Sequence, residues 1–126
     1  MLTKLLKAKL HRATVTMTNA DYHGSITIDP DLLDASGLLV NEAVLIADCD
    51  NGSRFETYII PGERGSGTIA INGAAARLTN VGHRVIIMAF VLASEAELQI
   101  HRSRVIIVDP QNRVRETIEH TTLDRA

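Results

Sequence analysis

A chain of 126 residues, 45% hydrophobic and 22% charged, has the composition of one soluble domain long enough to bury a sizeable core. Its net charge of −2 gives no support for nucleic-acid binding. The single Cys49 excludes an intrachain disulfide and a thiolate zinc cluster. No apolar run approaches the ~20 residues that cross a bilayer, and lysines interrupt the apolar runs near the start as no signal peptide would. The expectation is a cytoplasmic protein with neither nucleic acid nor membrane among its partners.

Leu6, Ala8 and Leu10 alternate with Lys7, Lys9 and His11, the period of a half-buried strand that Thr14, Val15 and Thr16 extend. Tyr22-His23-Gly24-Ser25 reads as a turn, because Gly accepts positive φ and Ser bonds its own backbone. Ile26-Thr27-Ile28 follows as a strand, then a short helix with Asp29 as N-cap, Pro30 at its first position and Gly37 ending it. Val44–Ala47 and Phe55–Ile60 flank Asn51-Gly52, which predicts a hairpin with a type I′ turn. Thr68–Ile71 is a short strand, Asn72 to Ala76 a small-residue loop, and Arg84–Val91 a β-branched strand. A helix over Ser94–Ile100 and a strand over Val105–Val108 complete the pattern. Beyond Pro110 the chain turns polar, predicting a loosely ordered tail over 110–126 after a domain of residues 1–109. Many short strands with close turn signals indicate a mainly β protein, a compact barrel.

Period 2 places Arg54, Glu56 and Tyr58 on one face of their strand, with Phe55, Thr57 and Ile59 on the other. Such a pair as Arg54 and Tyr58 is by itself an ordinary surface pattern, and so are Lys9 and His11. His23, His83, His101 and His120 show no metal-ligand spacing. No nucleophile elbow, P-loop or dinucleotide fingerprint is present.

Five segments together resemble one family, the bacterial pyruvoyl-dependent aspartate 1-decarboxylases. They are Lys9 to Thr16, Tyr22 to Ser25, Asn51 to Tyr58, Glu63 to Ser66, and Asn72 to Ala76, in the family's order and spacing. The likeness runs from Met1 to about Asp109; Asp21, His23, Arg77 and His83 depart from the family's usual residues.

The resemblance implies a six-stranded double-psi β-barrel with short helices, assembled as a homotetramer with active sites near subunit boundaries. It implies a precursor that cuts itself between Gly24 and Ser25, with Thr57 polarising the Gly24 carbonyl. Ser25 then becomes a covalent pyruvoyl group, leaving chains of residues 1–24 and 25–126. No metal is implied. The substrate would be L-aspartate, bound as a Schiff base and converted to β-alanine and carbon dioxide for pantothenate synthesis. Lys9 and Arg54 would bind its carboxylates, and the sequence does not assign which cation takes which. Tyr58 matches the proton donor; Thr57, Gly73, Ala74 and Ala75 match substrate contacts, with Asn72 orienting their loop. Some members also require a maturation factor. The competing reading is a non-catalytic barrel module that binds DNA or a partner protein through the basic cluster from Lys4 to Arg12.

Overall fold

The computed structural model describes residues 1–123. Nine strands run as β1 Thr3–Thr14, β2 Met17–Asn19, β3 Ser25–Ile28, β4 Ala43–Asp48, β5 Arg54–Pro61, β6 Ile69–Asn72, β7 Arg84–Ala93, β8 Arg102–Val108 and β9 Val114–Thr121. Two short helices, α1 Pro30–Ser36 and α2 Glu95–Leu98, and a 3₁₀ helix, Gly73–Leu78, fill connections between them. The strands hydrogen-bond in the order β2-β6-β3-β5-β4-β7-β1-β8-β9. Mainly β with few short helices, the chain fits the expected class; among the described residues it has nine strands where the resemblance implied six.

β1 and β2 stand six places apart in that order, yet only Val15 and Thr16 join them. Six strand spacings would span roughly 29 Å across a flat sheet, far beyond the reach of two linking residues. The sheet therefore curls until its β2 end lies beside β1. Backbone bonds from Val15 N to His83 O and from Thr16 N to Ile69 O pin that seam at 2.9 and 2.8 Å. The enclosed core is aliphatic: Leu10, Ile26, Ile28, Ile46, Ile59 and Ile87 are fully buried. This follows from a chain with only two Phe, two Tyr and no Trp.

Local chemistry explains most boundaries. Asp29 caps α1 by accepting from Asp31 N at 2.8 Å, as expected, and Gly37 ends it. Ser94 and Glu97 form a reciprocal capping box on α2, a helix shorter than its pattern suggested. The β4–β5 connection differs from the predicted type I′ turn. That turn needs positive φ at both central residues, and only Gly52 has it, at 77°. Asp48 Oδ1 instead accepts from the backbone N–H of Asp50 and Asn51, stabilising a wider turn over 49–53.

The predicted loose tail is corrected through Leu123; positions 124–126 lie outside the described residues. Val114–Thr121 pairs antiparallel with β8. Its turn is held by Asn112, which accepts from Thr14 N and donates to the carbonyls of Thr14 and Gly67, each at 2.8 Å. Polarity misled here because β9 is an edge strand with one bonded neighbour and little buried surface.

Candidate active site

Ser25 opens β3, and its side chain is almost wholly enclosed, with 1% of the residue exposed. Its hydroxyl donates to the His23 carbonyl at 3.2 Å and accepts from Asn72 Nδ2 at 3.0 Å. Asn72 sits opposite Ser25 in the antiparallel β3–β6 register and also donates to Thr27 Oγ1 at 3.0 Å. A hydroxyl held through both its proton and a lone pair has one orientation rather than three. Asn72 precedes the 3₁₀ helix but forms no side-chain cap for it, because its amide is directed to the two hydroxyls.

The glycine demand falls on an unexpected residue. A Cβ on Gly24 would meet nothing within 4 Å, and Gly24 is not among the residues with positive φ. Gly73 has φ of 75°, and a Cβ there would lie 2.6 Å from Gly24 Cα, 2.8 Å from Gly24 N and 3.3 Å from Tyr22 O. Gly73 is therefore the seat against which the Tyr22–Gly24 segment closes, and only glycine leaves that space.

β3 and β5 run parallel with Ile26 opposite Ile59, both fully buried. Extending that register by one residue sets Ser25 beside Tyr58, and by two sets Gly24 beside Thr57. Alternation turns Ser25 and Tyr58 to the face opposite the core-facing Ile26 and Ile59. Arg54 and Glu56 share that face, and Tyr58 is 41% exposed. Thr57 makes no side-chain hydrogen bond to the Gly24 carbonyl among the described residues. Ala74 is exposed and Ala75 half-buried, in a 3₁₀ helix rather than an open loop.

Lys9 stands on β1, which pairs with neither β3 nor β5. It lies opposite Met88 of β7 and Val105 of β8, so β7 and β4 separate β1 from β5. In the hydrogen-bonded strand order Arg54 lies three strands from Lys9 and Ser25 four, counted along a sheet that curls. Neither cation pairs with a carboxylate among the described residues. His11, two positions along β1, has a buried Nδ1 without a partner. Burial first, then Lys9 and Arg12, lower its pKa and favour a neutral imidazole. Two hollows of the single chain, one beside His101 and His120 and one of about 220 Å³ between Lys4 and Glu56, both leave Ser25 out.

A second polar centre lies at the β4–β5 turn. Asp48 is 2% exposed, and its Oδ2 stands 2.8 Å from His83 Nδ1. Burial opposes its charge, but His83 and the two turn N–H groups outweigh it and lower its pKa. The hydrogen bond to Asp48 raises that of His83 against burial, with help from the Asp48 and Asp50 charges. Sequence reasoning missed Asp48, since an Asp in an Asp-Cys-Asp-Asn-Gly turn carries no sign of its depth.

The site is thus a buried, doubly hydrogen-bonded serine behind a glycine-seated turn, in a mainly β chain. The family model described as "Aspartate decarboxylase" matches residues 1–115. The aspartate 1-decarboxylase of Caldicellulosiruptor saccharolyticus is 54% identical over 114 residues, 90% of this chain and 89% of that protein. That of Bacillus licheniformis is 52% identical over 118 residues, covering 94% and 93%. That of Neisseria meningitidis is 51% identical over 120 residues, covering 95% and 94%. The chain belongs to the aspartate decarboxylase family.

Proposed function

We propose that this chain is a self-processing aspartate 1-decarboxylase that converts L-aspartate to β-alanine and carbon dioxide. The observation that carries the reading is the buried Ser25 hydroxyl, held between His23 O and Asn72 Nδ2 beside the Gly24 carbonyl. Attack of Ser25 Oγ on that carbonyl breaks the Gly24–Ser25 amide and moves the acyl group to oxygen, while the serine nitrogen takes up the hydroxyl proton. Elimination across Cα–Cβ releases residues 1–24 with a free carboxylate, and hydrolysis of the resulting enamine releases ammonia. Thr57, aligned with Gly24, is the side chain nearest in register to stabilise the carbonyl oxygen as charge develops.

Position 25 suits a pyruvoyl group, for it begins a strand and an amide donor already faces it. That group would supply an electron-withdrawing carbonyl to stabilise the electron pair left on the substrate carbon as carbon dioxide departs. The chain's own residues do the rest. Arg54 grips one carboxylate bidentately and Lys9 supplies a point charge to the other. Tyr58, on the face of Ser25, delivers a proton to the carbon that lost carbon dioxide. Gly73, Ala74 and Ala75 offer backbone N–H groups, and Asn72 fixes their position.

The curled sheet supports a double-psi barrel. Counting β1 and β2 as one interrupted strand, β1/β2 and β3 to β7 make six, with the β8–β9 hairpin an addition. A homotetramer in which a neighbour's Lys9 completes each site fits the place of Lys9 on β1, which pairs with neither β3 nor β5. Exposed Leu2, Phe90, Val91, Leu92 and Ile100 provide apolar surface for such contacts. The reading also has the enzyme in the cytoplasm, without metal, nucleic acid or membrane, supplying β-alanine for pantothenate synthesis, and leaves open the maturation factor that some family members require. Among the described residues no helix is long and apolar enough to cross a membrane.

The test is an intact-mass spectrum of purified protein with a β-alanine assay. Two fragments, the larger beginning with a blocked residue 25, are expected, and Ser25→Ala should give a folded, uncut and inactive chain. A wild-type chain that stays whole after prolonged incubation and yields no β-alanine overturns the proposal.

A further inference from the structure

The turn between β4 and β5 ends at Arg54, the first residue of β5, so whatever fixes that turn fixes where the Arg54 backbone begins. Asp48 is its hub. Oδ1 holds the N–H groups of Asp50 at 2.8 Å and Asn51 at 3.2 Å, while Oδ2 meets His83 Nδ1 at 2.8 Å. The backbone closes the same turn, with Asp48 N donating to Ser53 O and Gly52 N to Asp48 O, both at 2.9 Å.

Two further ties leave the turn. Asn51 Nδ2 donates to Leu78 O at 2.8 Å, the last residue of the 3₁₀ helix that starts with Gly73. Asp50 Oδ2 accepts from Arg84 N at 2.9 Å, and Cys49 N donates to Arg84 O at 2.8 Å, at the start of β7. The turn thus connects the Arg54 strand to the 3₁₀ helix on one side and to β7 on the other. Arg54 itself forms no ion pair among the described residues, so its placement depends on this backbone frame.

We infer that Asp48 and His83 form a positioning unit that holds Arg54 at a fixed distance from the 3₁₀ helix, and so sets the site's affinity for a dicarboxylic amino acid. This rests on the reading of Arg54 as a carboxylate-binding residue. Neither Asp48 nor His83 touches substrate in this account; they act through the turn. His83 donates through Nδ1 whether its ring is charged or neutral, so the frame depends on the hydrogen bond more than on the charge.

The mutations remove the hydrogen bond and then restore it. His83→Leu leaves Asp48 Oδ2 buried without its partner, and His83→Gln returns a neutral donor. Asn51→Ala cuts the tie to Leu78 without touching the buried carboxylate. Each processed variant is assayed with L-aspartate, with rates normalised to the cleaved fraction by intact mass. A KM about tenfold higher in His83→Leu, with kcat within about twofold, is the pattern of lost carboxylate binding. His83→Gln should recover most of that KM, and Asn51→Ala should shift it in the same direction. An unchanged KM in both His83→Leu and Asn51→Ala overturns the inference, and so does a fall in kcat alone. If His83→Leu fails to fold, Asn51→Ala decides. Failure here leaves wild-type cleavage and β-alanine production intact, whereas failure of the proposed function removes both.

Discussion

Gly73→Ala tests whether self-cleavage depends on how closely the Tyr22–Gly24 segment closes on the 3₁₀ helix. The added methyl would stand 2.6 Å from Gly24 Cα and 2.8 Å from Gly24 N. Non-bonded carbons prefer roughly 3.5–4.0 Å, so the segment must withdraw by about 1 Å. A φ of 75° at residue 73 adds about 1–2 kcal/mol of backbone strain for any residue with a Cβ. Displacing a reacting group by 1 Å costs about a hundredfold in rate, since approach geometry supplies much of an intramolecular step's advantage. Cleavage slowed by about a hundredfold is therefore expected, in a chain that still folds but melts at lower temperature. The assay is a time course of intact mass, with circular dichroism to confirm the fold. Cleavage at the wild-type rate would refute the reasoning, because it would show that the seat at Gly73 does not set the approach of Ser25 to Gly24.

Tyr58→Phe should leave cleavage unaffected but lower kcat by about a hundredfold or more, the usual scale for a lost general acid; an unchanged kcat in processed enzyme removes Tyr58 from that role. Arg54→Lys keeps the charge but loses the bidentate fork, so KM for L-aspartate should rise by about tenfold or more in steady-state kinetics; an unchanged KM argues that Arg54 does not hold a carboxylate. Thermal melts across pH test the two buried carboxylates. Asp29 accepts from the N–H groups of Asp31, Gly65 and Gly67, which with Arg113 outweigh burial and lower its pKa, as the partners of Asp48 do there. Their stabilisation is present above the ordinary carboxylate value and is lost as pH falls through their lower folded values. His83 has the opposite sign: its contribution holds below the ordinary imidazole value and fades as pH rises through its raised one. Asp29→Asn should flatten the acid limb of that profile, and an unaltered limb would exclude Asp29 as its source.

Periodicity was legible wherever a strand has one wet face. Lys7, Lys9 and His11 against Ala8 and Leu10, or Arg54, Glu56 and Tyr58 against Ile59, carry their burial in their spacing. Caps were legible too, since Asp29-Pro30 and Gly37 act on backbone groups a few residues away. Long-range ties left no such mark. Asn51-Gly52 invited a two-residue turn, yet a carboxylate three residues earlier selected a wider one. Arg12 takes a φ of 60° at a register shift in β1, an irregularity that no alternation discloses. The site residues were gathered through motif resemblance, and the chain alone assembles only part of them. Ser25, Asn72 and Gly73 meet through the β3–β6 pair, and Tyr58 and Thr57 through β3–β5, whereas Lys9 remains across the sheet.

That partition has a physical basis in the two tasks. Self-cleavage needs reacting atoms of one chain held to within an ångström, and short-range pairing of β3 with β6 and β5 supplies that inside a single subunit. Holding a dianionic substrate needs two cations facing a common space, but cations set close together on one empty sheet face repel each other. Carrying Lys9 and Arg54 on strands that are not neighbours lessens that cost in the isolated chain. In the proposed homotetramer, a neighbour's Lys9 opposite Arg54 would create the dicarboxylate site only on assembly. The precursor can thus fold and position Ser25 before the complete substrate site exists, and a mixed assembly of Lys9→Ala and Arg54→Ala chains should regain activity where each alone has little. Complementation requires sites shared between subunits, so its absence in verified mixed oligomers would place both cations in one chain's site.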